Sequence, residues 1–172
     1  RISLMSKAKH LLYLVDACYG GLLTIGSRGL DPRTTTNYID KIAKDKSRQI
    51  ITAGGRGEKV IEKSEWGHSA YTKNLLSALE TGEADVNQDG YITAIELGNY
   101  LSEKVSIDSE NQQTPQTHRL TTHEGEFIFF NMGHIGQQII NINNMGIDKT
   151  NDLDINKLAA DSTINDLQKQ IN

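Results

Sequence analysis

Leu11-Leu12-Tyr13-Leu14-Val15-Asp16-Ala17-Cys18-Tyr19-Gly20-Gly21 is the stretch that decides the fold class. An unbroken apolar run stops abruptly at an aspartate, a cysteine and two glycines. Such a run fits a strand buried on both faces, the pattern of a parallel sheet. Polar and glycine residues directly after it belong at the strand's C-terminal edge, where α/β folds keep their sites. The glycines allow a sharp turn that leaves a thiol accessible, with backbone N–H groups able to face an oxyanion. Cys18 is the single cysteine of the chain. A lone cysteine is commonly a small buried hydrophobe. Its place behind a buried strand makes Cys18 the candidate nucleophile, and a thiol at neutral pH then needs a base or a positive field.

Working outward, residues 26–36 are rich in Gly, Arg, Pro and Thr and read as an exposed loop, followed by a short helix from Thr35 to Lys44. Gln49-Ile50-Ile51-Thr52-Ala53 is a second strand signal, closed by Gly54-Gly55. Tyr71, Leu75, Ala78 and Leu79 repeat at helical spacing, and Gly82 ends that helix. Leu97, Tyr100, Leu101 and Val105 mark another amphipathic helix. Residues 106–123, with Pro115, read as loop, and Glu126-Phe127-Ile128-Phe129-Phe130 as a third strand. The order β-α-β-α-α-β predicts an α/β fold with layered helices on a mostly parallel central sheet. Three strands are few for a doubly covered sheet, so the domain is expected to be incomplete in this chain. Residues 1–132 are read as the domain. Residues 133–172, rich in Asn, Asp, Gln and Ile, are read as linker and tail, with Thr163–Asp166 able to cap a short helix and Asp148–Asp154 as solvated chain.

Across 172 residues the formal net charge is -4. A mildly acidic chain argues against nucleic acid or an anionic membrane as partner, since both need a basic face. Hydrophobic residues at 37% and charged residues at 23% give a globular balance. No apolar run approaches the ~20 residues that span a bilayer, and the first residues carry no signal-peptide core. One cysteine leaves no internal disulfide and permits a reducing compartment, so a cytoplasmic location is expected.

Asp85-Val86-Asn87-Gln88-Asp89-Gly90-Tyr91-Ile92-Thr93-Ala94-Ile95-Glu96 fits the EF-hand calcium loop position by position. Asp85, Asn87, Asp89 and Glu96 supply side-chain oxygens, Tyr91 a backbone carbonyl, and Gly90 the sharp turn. The loop is expected to bind Ca2+ in a structural or regulatory role. A relic loop that only caps the following helix is the competing reading.

Leu14-Val15-Asp16-Ala17-Cys18-Tyr19-Gly20-Gly21 resembles the nucleophile segment of the caspase–metacaspase clan, which usually reads Asp-Ser/Ala-Cys-His-Ser-Gly; Tyr19-Gly20 stands where His-Ser is common. Ile51-Thr52-Ala53-Gly54-Gly55 is similar to the clan's next core strand. Gly67-His68-Ser69-Ala70-Tyr71-Thr72 resembles its bacterial Gly-His-Ser-x-Phe-Thr helix start. Gln113-Thr114-Pro115 and Gly125-Glu126-Phe127-Ile128-Phe129 resemble its closing loop and last strand. These motifs stand in the family's order over roughly residues 9–131.

The resemblance implies a caspase-like layered fold and a cysteine endopeptidase working by a Cys-His dyad on protein or peptide substrates. In that clan the base lies in a Ser-Gly-His-Gly-like segment on the strand before the cysteine strand. None of His10, His68, His118, His123 and His134 lies in such a segment. His10 falls at the far end of the cysteine strand, about eight residues at ~3.3 Å each from the thiol. His68 matches a helix start and is read as structural. The resemblance therefore implies that the catalytic histidine comes from the N-terminal half of the domain, outside this chain, and that this part alone is inactive. It further implies that Asp16 lies in the S1 pocket, favouring Arg or Lys at P1, with Glu58 as a second acidic specificity residue. Asp16 as a brace of the local turn is the equal alternative. Arg56 leaves selection of an acidic P1 residue open. Arg28 and Arg33 are either self-cleavage positions or ordinary loop charges. Two other functions remain, an inactive caspase-like scaffold and a calcium-binding interaction module with an inert Cys18.

Overall fold

The structure is a computed structural model that describes residues 5–18, 36–131 and 133, without the side chains of Cys18, Thr36 and Asn37. The expectations for Tyr19-Gly20-Gly21, for most of the loop at 26–36 with Arg28 and Arg33, for His134, and for the tail beyond Gly133 lie outside those residues. In chain order the elements are β1 (His10–Cys18), α1 (Thr36–Lys44), β2 (Ser47–Gly54), a 3-10 turn (Ser64–Trp66), α2 (Ala70–Thr81), β3 (Tyr91–Thr93), α3 (Ala94–Asp108), β4 (Gln116–Arg119) and β5 (Ile128–Phe130). This is an α/β arrangement. Among the described residues no helix is long and apolar enough to cross a membrane.

β2 is the middle strand of a three-stranded sheet ordered β1-β2-β4, and each of its residues is buried. Its register with β1 is parallel, from His10 opposite Ser47 to Cys18 opposite Gly54, with a slip between Val15 and Cys18. With β4 it is antiparallel, Ile51 opposite Thr117. The sheet is thus mixed, one parallel pair and one antiparallel pair. β4 was expected as loop, because Gln116-Thr117-His118-Arg119 carries no apolar alternation. Its place comes from backbone pairing along β2, which any side chain permits. The rest of the expected loop at 106–123 is also shortened, since α3 runs on to Asp108. β5 does not join this sheet. It pairs antiparallel with β3, Ile92 opposite Phe129.

β1 departs from the burial expected of it. Leu11, Leu12, Tyr13 and Val15 are half-buried, and Leu14 is 37% exposed. The cause is its edge position, since among the described residues no strand pairs with its outer side.

The core lies where α2 and α3 pack on β2. Ile51, Tyr71, Ala78, Ile92, Leu97, Leu101 and Val105 are fully buried or nearly so, with Leu12, Leu75, Leu79 and Phe129 against them. The helix ends follow local chemistry. Ser69 Oγ accepts from Thr72 N–H at the start of α2, and Gly82 closes that helix at φ 76°, a left-handed conformation natural to glycine. Thr93 and Glu96 form a reciprocal capping box at the start of α3.

α3 lies so close to β4 that a Cβ on Gly98 would collide with the Thr117 side chain. Replacing an interior helix glycine by alanine ordinarily stabilises by about 0.5–1 kcal/mol. Here Gly98→Ala is expected to destabilise by about 1–3 kcal/mol, because overpacking outweighs that gain. Urea denaturation of both proteins checks the sign.

Glu126 is 1% exposed, 3.1 Å from the Arg119 guanidinium, and accepts a 3.4 Å bond from the Tyr38 hydroxyl. Burial pushes its carboxyl up to about 7, although Arg119 pulls the other way. A folded-state pKa raised above the unfolded one means the native state holds a proton that the unfolded chain has released. Stability from this group is therefore greatest at low pH and falls as pH rises from about 4.5 to about 7. Glu126→Gln is expected to remove that fall. Relative to wild type it should gain a few kcal/mol, to order of magnitude, between pH 4.5 and pH 8, measured by urea denaturation at both.

Candidate functional site

The C-terminal end of β1 places Asp16 and the backbone of Cys18 beside the start of α2. Asp16 Oδ2 accepts hydrogen bonds from Ser69 Oγ at 2.7 Å and Thr72 Oγ1 at 2.6 Å. Ser69 thus caps α2 and also ties the helix to the end of β1. The brace and the specificity role remain compatible, since the cross-link occupies Oδ2 and Oδ1 has no bond among the described residues. The slip in the ladder between Val15 and Cys18 breaks the strict alternation that would set residues 16 and 18 on one side.

Asp16 lines an open cleft of about 620 Å3 together with Glu62, Lys63, Ser64, Gly67, His68, Ser69 and Thr72. Two carboxylates face one ammonium there, and Lys63 Nζ sits 4.6 Å from the centre of the Trp66 ring. Glu62 was not anticipated. It precedes the turn into α2 and pairs by an isolated bridge with Ser69, a tertiary placement with no local sequence signal. His68 was read as structural, and the fold places it, exposed, in the same cleft.

Glu58 is not among the residues lining this cleft. Its Oε2 accepts from the backbone N–H of Gly55 at 2.8 Å and of Thr114 at 2.7 Å, so it joins the turn after β2 to the segment before β4. Gln113 reinforces the same junction, donating to Ala53 O at 2.7 Å and accepting from Ile61 N at 2.7 Å. Arg56 is exposed in that turn.

The remaining described histidines are held elsewhere. His10, at the start of β1, donates from Nε2 to Ala43 O at 3.1 Å, with Nδ1 3.2 Å from Ser47 Oγ; burial lowers its pKa. His118 lies on β4 opposite Ile50, and His123 is 3.6 Å from Asp45.

At the other candidate centre, Asp85 is 6% exposed. Its Oδ2 accepts from Gly90 N at 3.0 Å and Asn131 Nδ2 at 2.9 Å, and its Oδ1 from Asp89 N at 3.1 Å. Asn87 Oδ1 accepts from Asp89 N at 2.8 Å, and Asp89 Oδ1 from Tyr91 N at 2.9 Å. Gly90 turns the chain at φ 88°. Glu96 is 1% exposed and binds Thr93 through Oε2, while its Oε1 has no hydrogen-bond partner among the described residues. Burial, together with the charges of Asp89 and Asp85, raises its pKa against the pull of the Thr93 bonds. Among the described residues no group of three His, Cys, Asp or Glu side chains is placed so that it could hold a metal ion. An EF-hand loop draws on asparagine and backbone oxygens as well.

No protein-family model, curated protein or solved structure matches this chain. The functional reading therefore rests on its own residues and the motif resemblance.

Ser69→Ala is expected to cost about 1–2 kcal/mol through loss of the helix cap. A glycine at a cap ordinarily costs only a few tenths. Ser69→Gly should cost more than that, about 1 kcal/mol, because the hydroxyl also serves Asp16. Urea denaturation reads both; a nearly neutral Ser69→Gly would mean the Asp16 bond contributes nothing.

Proposed function

We propose that this chain carries the nucleophile of a caspase-like cysteine endopeptidase whose base histidine is supplied from outside it. The observation that carries the reading is the end of β1. Cys18 terminates a strand parallel to β2, and Asp16, two residues before it, opens onto an acid-lined cleft. The Cys18 thiolate attacks the scissile carbonyl carbon, and the histidine that took its proton returns it to the departing amine. Water then hydrolyses the acyl-enzyme. A backbone N–H at the strand end stabilises the oxyanion, a role that charge-directed donors fill in acyl transfer. Asp16, joined by Glu62, favours a cationic P1 side chain by attraction between opposite charges; both carboxylates are exposed, so solvent and salt weaken that preference.

The outer edge of β1, along which no described strand pairs, supports the second half of the proposal. Its apolar side chains are half-exposed, and an uncovered strand of this composition invites pairing. In the caspase-like layered arrangement, β1, β2 and β4 form one flank of a larger, mostly parallel sheet. The N-terminal half of the domain adds its strands along β1 and brings the histidine to Cys18. A reducing compartment such as the cytoplasm would keep the thiol free.

A catalytically inactive scaffold is the second reading, motivated by the lack of a Ser-Gly-His-Gly-like base segment in this sequence; the described histidine that the Asp16 cleft does hold is His68. Full-length protein is assayed against reporter peptides with Arg, Lys or Asp at P1, as wild type, Cys18→Ala and His68→Ala. The expected result is cleavage after Arg and Lys, abolished in Cys18→Ala and retained in His68→Ala, with the 172-residue chain alone inactive. Equal cleavage by wild type and Cys18→Ala, or none by either, sinks the peptidase reading. Loss of activity in His68→Ala would move the base into this chain.

A further inference from the structure

We propose that residues Asp85–Glu96 form a calcium site completed by two features outside the usual twelve-position loop: Asn131, which positions Asp85, and the pairing of β3 with β5, which holds the loop in place of a second EF-hand. The site is independent of the thiol chemistry at β1.

Two observations carry it. The first is the set of oxygens in register. Asp85, Asn87 and Asp89 alternate along the loop, Gly90 makes the turn, and Tyr91 follows with its carbonyl. The second is Glu96. Its side chain is almost wholly excluded from solvent, and yet Oε1 has no hydrogen-bond partner among the described residues. A buried acceptor left without a donor costs about 1–3 kcal/mol, and no donor among the described residues meets it. A hard cation with oxygen preference does, and the last position of this loop class is where calcium takes its glutamate.

EF-hand loops commonly occur in pairs joined by a short strand contact. Here the strand segment of the loop, β3, pairs with β5 of the same domain, and Ile92 is fully buried against Phe129. Asn131 follows β5 directly. Its backbone N–H donates to Gly90 O at 2.9 Å and its side-chain amide to Asp85 Oδ2 at 2.9 Å. The side chain also fits against Gly82, where a Cβ would collide with it. Asn131 therefore fixes the rotation of the Asp85 carboxylate from one side while Gly90 N–H fixes it from the other. Asn131 is a positioning residue: it touches the first ligand and not the ion.

The test is isothermal titration of CaCl2 into the 172-residue chain, metal-free, as wild type, Glu96→Gln and Asn131→Ala. Far-UV circular dichroism establishes that each variant is folded at the temperature used. Glu96→Gln keeps a residue suited to the capping box and removes the charge. The expected results are one Ca2+ per chain, with a dissociation constant between about 10^-6 and 10^-3 M, the span of sensor and weaker sites of this loop class. Binding is expected to fall by about 100-fold or more in Glu96→Gln and by about 10-fold in Asn131→Ala. MgCl2 should bind more weakly, because the smaller ion demands a strict octahedron. No heat and no rise in thermal midpoint with about 5 mM CaCl2, above the weakest such sites, overturns the site, as does undiminished affinity in Glu96→Gln. Undiminished affinity in a folded Asn131→Ala overturns the positioning role.

Discussion

The burial of β2 is the constraint on which the rest of the structure depends. Four of its residues, Ser47, Arg48, Gln49 and Thr52, are polar and almost wholly excluded from solvent. Buried polar groups must be hydrogen-bonded, or they cost more than their burial returns. Each partner that β2 recruits therefore fixes another part of the chain. Arg48 donates to the carbonyls of Ser6, Ala8 and Lys9, which sets the approach to β1. Gln49 accepts from Phe127 N at 2.8 Å and aims the chain into β5. Ile51 O takes the Tyr71 hydroxyl of α2, and Ala53 O takes Gln113 ahead of β4. The strand acts as a template whose unmet bonds select the arrangement around it.

The two candidate centres inherit their geometry from that template. Parallel pairing brings the end of β1 level with Gly54, and the Tyr71 bond brings α2 over the same end. Asp16, Ser69 and Thr72 meet as a consequence. The loop at Asp85–Glu96 is reached differently, through the segment that Gln49 directs into β5 and so to Asn131. One central strand therefore orients both an acid-lined cleft and a set of alternating oxygens, and neither depends on the other's ligands.

Elements whose own residues carry a period were legible in the sequence. Tyr71, Leu75, Ala78 and Leu79 marked α2, Gly82 marked its end, and Gln49–Ala53 marked β2, because each signal acts within a few residues. β4 was not legible. Gln116-Thr117-His118-Arg119 pairs through backbone groups, which leave no trace in side-chain hydrophobicity. β5 was legible as a strand, but its partner was not, since choice of sheet is settled by contacts across the fold. The same division runs through the candidate sites. The calcium-like loop is contiguous and could be read residue by residue. The Asp16 cleft is assembled from β1 and the turn before α2, so Glu62 and His68 carried no local sign of sharing it. Glu58 shows the converse, a plausible acidic position in the right loop whose carboxylate is engaged by Gly55 and Thr114.

β1 and Glu96 pose one physical problem at two scales. Leu11–Val15 is a continuous apolar strand with one free edge among the described residues, so its outer backbone groups and half-covered side chains have a demand that this chain's described strands leave unmet. Glu96 Oε1 is a single buried acceptor in the same position. Local rules would avoid both, since edge strands are usually short or charged and buried carboxylates are usually paired. Sequences that break such rules tend to do so where something outside them supplies the missing term. For a strand edge the chemistry that fits is another strand, and for a carboxylate among alternating oxygens it is a cation. The mismatch between what these residues need and what the described fold gives them is therefore the most informative feature of the molecule, and the proposed added strand along β1 and the proposed metal ion at Asp85–Glu96 answer it with the same physical logic.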